Sequence, residues 1–498
     1  MTIDSIKIFP SIGIARLGNS TSDFYIGPEL PGDRTPPPSG YKDSQRRIKR
    51  QAARFRLFGY ESGILKKEIT FADADIQWTV KLANTKADWK KFYQDGVGGG
   101  VEHPNNEIRN VDVSDRASLK ITPKPCNITE PNQIEKFDTG KFLGKSVPLG
   151  EIRADKEGHH LLILGGFGDS DFRGSNPDNK KIRFADNDGW YDDISDGPVT
   201  ASVRLNGTSN WIQASPAWVI CAPPKFAPQL DNIITLYDAL LQVAVDKLHH
   251  MVPAVPSFAK DIYPILIRAI TMRWVYSMAN LMHLTLGSVI PPPGLPDTRK
   301  KIFEKLRDPS LGSHDPSPYQ DMPLLWSDVY DKTNQINLSL TKIQYNYLKQ
   351  WQDGNFINDW IGPPVPETTI TPEGLTRAAL ETCVGGALYP GIETSFMTRD
   401  TYLFIEPFRL DAALLEPGDL TKQMAVPWQA DFYDCSFEQG LLWWPAHRPV
   451  DVLTNNDGHR VSWTRDIVNS HEDMIKNWFK LGFVVRQGAK YVETERYT

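Results

Sequence analysis

The chain has 498 residues, 40% hydrophobic and 23% charged, with a formal net charge of −6. That length exceeds one compact core, so two or three domains are expected, and the acidic balance without a basic tail excludes nucleic acid as the main partner. The four cysteines, Cys126, Cys221, Cys383 and Cys435, are widely spaced and form no CxxC pair, which excludes a disulfide scaffold, a zinc ribbon and a thioredoxin-type motif.

Met1–Gly18 lacks a basic segment followed by an apolar core, so no secretory signal is read and a cytoplasmic location is expected. Ile6–Ile14 is apolar but interrupted by Pro10 and Gly13, the pattern of a strand that bends. A basic cluster follows: Arg46, Arg47, Lys49, Arg50, Arg54 and Arg56. Arg50–Arg56 fits two helical turns. No aromatics interleave these arginines as in a single-strand platform, so they are expected to pair with carboxylates. Phe55–Ala83 alternates apolar and polar residues and predicts a meander. His159–Ser170 predicts a strand running into a glycine-rich turn that lacks GxGxxG spacing. His159 and His160 are adjacent, so in a strand they face opposite sides.

Ala185–Val199 is the most acidic stretch. Asp186, Asp188, Asp192, Asp193 and Asp196 are the right ligand type for a hard cation, but Gly189 comes too early for an EF-hand. A hydrogen-bonded loop of Asx-turns is preferred and no metal is assigned. ASVRLNG and AWVICAPPKFAP then close a β-rich region near Pro228. Beyond it, Ile233–Met251 and Phe258–Leu286 have helical period and length. Arg268 and Arg273 inside the second argue for a buried helix over a membrane span. Pro291–Pro296 and Pro363–Pro372 read as linkers, and a helix ends at Gly354. The short helix Leu375–Cys383 leads into VGGALYPGIE, whose glycines let backbone approach a ligand or another segment. Phe404–Leu415 and FVVRQ read as strands, with a helix around Glu472–Phe479 between them. The class is α+β: a β-rich N-terminal domain (1–228), a helical region with linkers (229–372) and a mixed helical/β C-terminal region (373–498) carrying the candidate site.

That candidate site is PWQADFYDCSFEQGLLWWPAHRPVD, Pro427–Asp451. Asp431 and Cys435 are four apart and share a face on a helical turn. Trp443 and Trp444 follow closely, and Pro445 fixes the backbone after them. A thiol, an electron-rich ring and a base held together suggest covalent chemistry between side chains. The competing reading is a buried cysteine packed on core tryptophans.

Eight strings occur in one order: IARLGNS, GYKDSQRRIKRQAARFRLFGYE, WTVKLANTKADW, DNDGWYDDISDGPV, APPKFAP, CVGGALYPGIE, PGDLTKQMAVPWQADFYDC and WWPAHRP. Together they resemble the LodA-like family, whose lysine ε-oxidase and glycine oxidase members carry cysteine tryptophylquinone. The resemblance runs from Ile6 to about Arg448. It implies that Cys435 becomes bonded to Trp443 or Trp444, and that the indole gains two carbonyl oxygens. It implies that Asp431 serves both maturation and catalysis. It also places Cys383 at a family position near the quinone. The residues themselves leave Cys383 open between that role and an inert buried thiol.

The implied activity is oxidative deamination of a small amino acid or primary amine, with dioxygen as acceptor and ammonia and hydrogen peroxide as products. Implied partners are a flavin-dependent maturation protein and, as a homo-oligomer, further copies of the chain; neither nucleic acid nor membrane is among them. A base flanked by indoles is expected to have its pKa raised by desolvation. A substrate carboxylate requires a cation, and Arg448 is the candidate, with bracing of the turn as its alternative role. Only seven residues separate Cys435 from Trp443, a shorter span than the characterised oxidases lead one to expect. The alternative is a family member without the quinone, acting as a metal- or ligand-binding protein or using another cofactor.

Overall fold

The structure is a computed structural model that describes residues 3–93, 99–102, 107–155, 160–282, 293–310, 322–323, 326–330, 335–337, 339–386, 390–435, 444–454 and 458–497. Trp443 and His159, both singled out in the sequence, lie outside the described residues.

A 13-stranded sheet organises the N-terminal part. Its longest strand, Arg50–Glu61, pairs with Ser5–Phe9, Ile12–Arg16, Phe24–Ile26, Ile64–Ile69 and Leu161–Leu164. The sheet continues from Ile12–Arg16 through Ala217–Ala222, Ser195–Leu205 and Ala74–Val80 to Cys126–Ile128. Ala74–Val80 shows the strand period directly: Ala74, Ile76, Trp78 and Val80 are buried, while Asp75 and Gln77 are exposed.

The alternation vanishes where both faces are covered. Ile12–Arg16 and Ala217–Ala222 are buried throughout. On one face Ala15, Val219 and Cys221 join an all-β core with Phe55, Trp78 and Ile163. On the other, Ile12, Ile14, Trp218 and Ile220 pack on Leu236, Leu240 and Leu380. These last belong to the helices Leu236–Leu248 and Pro372–Glu381. Gly13 is required by the packing, since a Cβ there would sit 2.3 Å from the Phe55 ring.

The helical reading of Arg50–Arg56 is corrected: these residues open the central strand. The arginines mimic helical spacing, but the strand pairs on both sides and fixes an extended backbone. Their expected carboxylate partners are present. Arg50 meets Glu151 at 3.2 Å, Arg54 meets Glu29 at 2.9 Å, and Arg56 meets Glu29 and Glu68 at 2.8 and 2.9 Å. The long helix read over Phe258–Leu286 is also corrected. It divides into a π turn at Phe258–Ile262, an α-helix at Tyr263–Thr271, a 3-10 turn at Met272–Trp274 and a short helix at Ser277–Met282. Pro264 has no N–H to continue an earlier turn, so the regular helix starts beside it. Among the described residues no helix is long and apolar enough to cross a membrane.

The C-terminal part packs around tryptophans. Trp351, Trp428, Trp444, Trp463 and Trp478 share one buried cluster. The helix Lys342–Asp353 enters it with Thr341 as a capping-box residue and stops at Gly354, whose φ of 81° suits glycine. A hairpin, Phe483–Gln487 with Lys490–Thr494, closes the chain.

The acidic stretch fastens the two parts together. Asp192 and Lys86 are wholly buried and paired at 2.5 Å. Asp192 also accepts from Asn84 Nδ2 at 2.9 Å and from the backbone N–H of Trp428 at 2.8 Å. Lys86 donates a second bond to the carbonyl of Ala425 at 2.6 Å. Asp196 accepts from Trp218, Leu420 and both donors of Thr421. Asp186 meets Arg109 at 2.7 Å, and Asp188 accepts from the Asn110 N–H. These carboxylates are directed at protein donors, and among the described residues no three His, Cys, Asp or Glu side chains could share a metal ion.

Lys86→Met leaves the Asp192 charge buried without its counter-ion. It is expected to destabilise the protein by about 3–5 kcal/mol, measured by urea unfolding. The double variant K86M/D192N is expected to recover part of that loss.

Candidate active site

Asp431 lies in the helix Trp428–Asp434 and Cys435 caps its C-terminal end. The helix has seven residues and no side-chain cap, so it depends on outside donors and acceptors. Asp192 supplies one at its first N–H, 2.8 Å away. Packing adds further support, since Trp428, Gln429, Ala430, Asp431, Phe432 and Asp434 are all buried. The last backbone bond, Cys435 N–H to Asp431 O at 2.9 Å, brings the side chains together as their spacing predicts.

The Cys435 thiol donates to Asp431 Oδ1 at 3.0 Å. Asp431 is 3% exposed. Burial raises its pKa from the ordinary 3.8 to about 7, and the neighbouring Asp434 adds to the rise. The Cys435 hydrogen bond and the charges of Lys86 and Arg448 work in the other direction. Burial and the Asp431 carboxylate push the Cys435 thiol well above its usual range. Cys435 is therefore held as a thiol beside a carboxyl poised near neutrality. A free thiolate nucleophile is excluded by this environment.

Trp444 is fully buried, with its ring edge-on to Phe432 at 5.0 Å. Phe432 lies between Asp431 and Cys435 in sequence, so the indole packs on the helix that carries both. Cys435 packs against the same tryptophan-rich cluster. Trp443 lies outside the described residues, so the choice between the two indoles stands as the sequence leaves it.

Arg448 braces the turn. Its Nε donates to the Phe432 carbonyl at 2.7 Å and its Nη1 to that of Pro449 at 3.0 Å. Its guanidinium lies over the Trp463 ring at 5.5 Å. Burial lowers its pKa to about 10. Of the two roles the sequence leaves open for Arg448, the geometry matches bracing.

Cys383 is fully buried and donates to the Ala379 carbonyl at 3.6 Å. It packs with Ile12, Ile14, Leu236 and Leu380, a cluster separate from the one around Cys435 and Trp444. The glycines beside it do mark a close approach: a Cβ on Gly385 would lie 1.8 Å from the Thr235 carbonyl.

A second buried network joins these two clusters, and sequence reasoning missed it. Arg16 Nη2 donates to Glu393 Oε1 at 2.8 Å and lies 3.8 Å from Cys383 Sγ. The same Glu393 oxygen meets His447 Nε2, and Asn232 Nδ2 donates to His447 Nδ1 at 3.1 Å. This pattern fixes the tautomer: Nε2 carries the proton and Nδ1 accepts. Burial lowers the His447 pKa to about 4, so the imidazole is neutral at pH 7. His447 and Arg16 hold the Glu393 carboxyl down at about 2. His447 is also the donor of a backbone bond to Trp444 O at 3.0 Å. One signal was present: Arg16, Glu393 and His447 each lie inside one of the eight strings.

Known proteins share this arrangement of the chain. The "L-Lysine epsilon oxidase N-terminal" family matches residues 9–221, and the "L-lysine epsilon oxidase C-terminal domain" matches residues 320–456. The L-lysine 6-oxidase of Marinomonas mediterranea is 26% identical over an alignment of 671 residues, covering 99% of this chain and 89% of the relative. The crystal structure of the ε-lysine oxidase from the same organism superposes with a TM-score of 0.82 at 24% identity, over 99% of this chain and 95% of that one. A structure of its Schiff base intermediate with L-Lys gives a TM-score of 0.79 at the same identity and coverage. With both family domains matched in order and a relative aligned across the whole chain, this protein belongs to the LodA-like family.

Proposed function

We propose that this protein is an amino-acid oxidase whose reactive group is a cysteine tryptophylquinone built from Cys435 and one of Trp443 and Trp444. The observation that carries the reading is the 3.0 Å contact between the Cys435 thiol and an Asp431 carboxyl raised to about 7. The residues fit the group. A thiol, a base and a buried indole meet in one apolar cluster, and the base has the proton affinity that crosslinking and turnover both require.

Once formed, the quinone supplies a carbonyl electrophile and an acceptor for the electron pair of a C–H bond next to a primary amine. Asp431 Oδ1 is the proton acceptor, for Cys435 Sγ during maturation and for the substrate carbon during turnover. Its burial excludes water from that oxygen. Arg448 ties the Trp444 turn to the Asp431 helix through the Phe432 carbonyl. Burial keeps His447 neutral and its contact with Glu393 fixes its orientation, which holds the same turn from its other side. The relative's name makes L-lysine the first substrate to test. Dioxygen is the proposed acceptor, with ammonia and hydrogen peroxide as products. A separately encoded flavoprotein is the proposed source of oxidising equivalents for maturation.

Intact mass after co-expression with that flavoprotein is the deciding experiment. A mature chain gains two oxygens and loses four hydrogens, and peptide mapping identifies the indole used. An unchanged mass in the presence of the partner overturns the reading. Asp431→Asn and Cys435→Ala are each expected to keep the unmodified mass and release no peroxide. If D431N does mature, loss of the base alone is expected to slow turnover by roughly 10²–10⁴.

The raised Asp431 pKa gives two pH signatures. The base must be ionised, so the acid limb of kcat is expected at about 7. The folded state keeps a proton that the unfolded state releases above 3.8. The stability associated with that proton is full below 3.8 and is lost as pH rises to about 7. The Tm of the wild type minus that of D431N is therefore expected to fall across this window and level off above it.

A further inference from the structure

With Arg448 committed to the turn, the cations that face open space lie elsewhere. A cleft of about 360 Å³ opens between the Tyr25–Pro38 segment and Lys225. It is within the size range of small-molecule sites. Arg16, Arg34 and Lys225 line it together with Tyr25 and Tyr41. Arg16 and Lys225 are 3% and 4% exposed.

The hydrogen bonds of these cations differ. Arg34 is spent: its Nε and Nη2 grip Asp231 at 3.0 and 2.9 Å, and its Nη1 donates to the Asp33 carbonyl. Arg16 holds Glu393 and the Pro223 carbonyl. Glu381 is held by Arg377 at 2.7 Å. Lys225 has one bond among the described residues, to Asp231 Oδ1 at 3.3 Å. Asp231 is already the partner of Arg34. An ammonium has three donors, and a buried one with a single long bond is under-satisfied. Tyr41 adds a hydroxyl with no hydrogen-bond partner among the described residues. Its ring is fixed by stacking on Phe483 at 4.9 Å and by an edge contact with Tyr25. Two carboxylates face the same space. Glu29 is taken by Arg54 and Arg56, and Asp33 Oδ1 accepts from the Thr35 N–H at 2.9 Å.

We propose that this cleft binds the carboxylate of a small organic acid, with Lys225 as its counter-ion and Tyr41 as a hydroxyl donor. The inference takes from the proposed function only its substrate class, an amino acid, whose carboxylate is the group in question. The wall between the cleft and the Trp444 turn is the Arg16–Glu393–His447 network. The cleft thus abuts the candidate active site without including Asp431 or Cys435. A carboxylate here gives Lys225 the charge-assisted partner that Asp231 gives Arg34. Lys225 keeps its ammonium form in that complex, against the burial that lowers its pKa to about 8.

The test is direct binding to the full chain expressed without the maturation partner, so the result is independent of whether the quinone forms. Saturation-transfer NMR is recorded with propionate and with propylamine. Propionate is expected to bind and propylamine to give no signal. Lys225→Met is expected to weaken propionate binding at least about tenfold, and Tyr41→Phe about threefold. Absence of propionate binding, equal binding of propylamine, or unchanged propionate affinity in K225M overturns the proposal. If K225M lacks the wild-type circular dichroism spectrum, Y41F decides, because it removes one oxygen and keeps the packing; an unchanged affinity there overturns the proposal as well.

Discussion

The buried pair of Lys86 and Asp192 is the constraint on which the candidate site depends. Neither residue reaches solvent, and each is bound to the segment just before or at the start of the Asp431 helix. A seven-residue helix has little stability of its own. Its first N–H meets a carboxylate, which suits the positive end of a helix dipole. That carboxylate is paired with Lys86 at 2.5 Å. The Lys86 charge also reaches Asp431, where it opposes the effect of burial. One ion pair therefore sets where the helix begins and moderates the acid within it.

Two buried polar systems converge on the WWPAHRP turn with different chemistry. Asp431, bonded to the Cys435 thiol, is poised close to neutrality. Glu393 and His447 both titrate well below pH 7 and stay in their deprotonated forms, an anion beside a neutral ring. The first suits groups that must change state. The second suits groups that must not, since neither gains nor loses a proton across the physiological range. Arg448, which donates to the Phe432 and Pro449 carbonyls, links the two across the Phe432 peptide.

Much of the architecture was legible because it is local. Alternation gave Ala74–Val80, Gly354 marked the end of the helix Lys342–Asp353, and a spacing of four gave the Asp431–Cys435 contact. The helix read over Arg50–Arg56 failed because a strand covered on both sides shows no alternation, and its arginines imitate helical spacing. The helix read over Phe258–Leu286 failed because apolar content persists across breaks in the backbone. Glu393 carried no signal of its own: it is a single acid in a glycine-rich loop whose partners, Arg16 and His447, are 377 and 54 residues away in sequence. Lys86 and Asp192 are 106 apart. Long-range ion pairs leave no periodic trace, so only their presence inside the shared strings hinted at them. Those strings now have a common explanation. IARLGNS supplies Arg16, WTVKLANTKADW supplies Lys86, the acidic stretch supplies Asp192, APPKFAP supplies Lys225, CVGGALYPGIE supplies Glu393, and WWPAHRP supplies His447.

The short helix has one more consequence. In an unfolded or truncated chain Asp431 is an ordinary aspartate and Cys435 an ordinary thiol. The acid near 7 exists only after residues from both ends of the chain have packed around it. The unusual chemistry of the pair is thus a property of the native state and reports on it. Under the proposed function, an oxidising partner that requires this acid would act on finished molecules and pass over misfolded ones, leaving the fold to decide which copies become reactive.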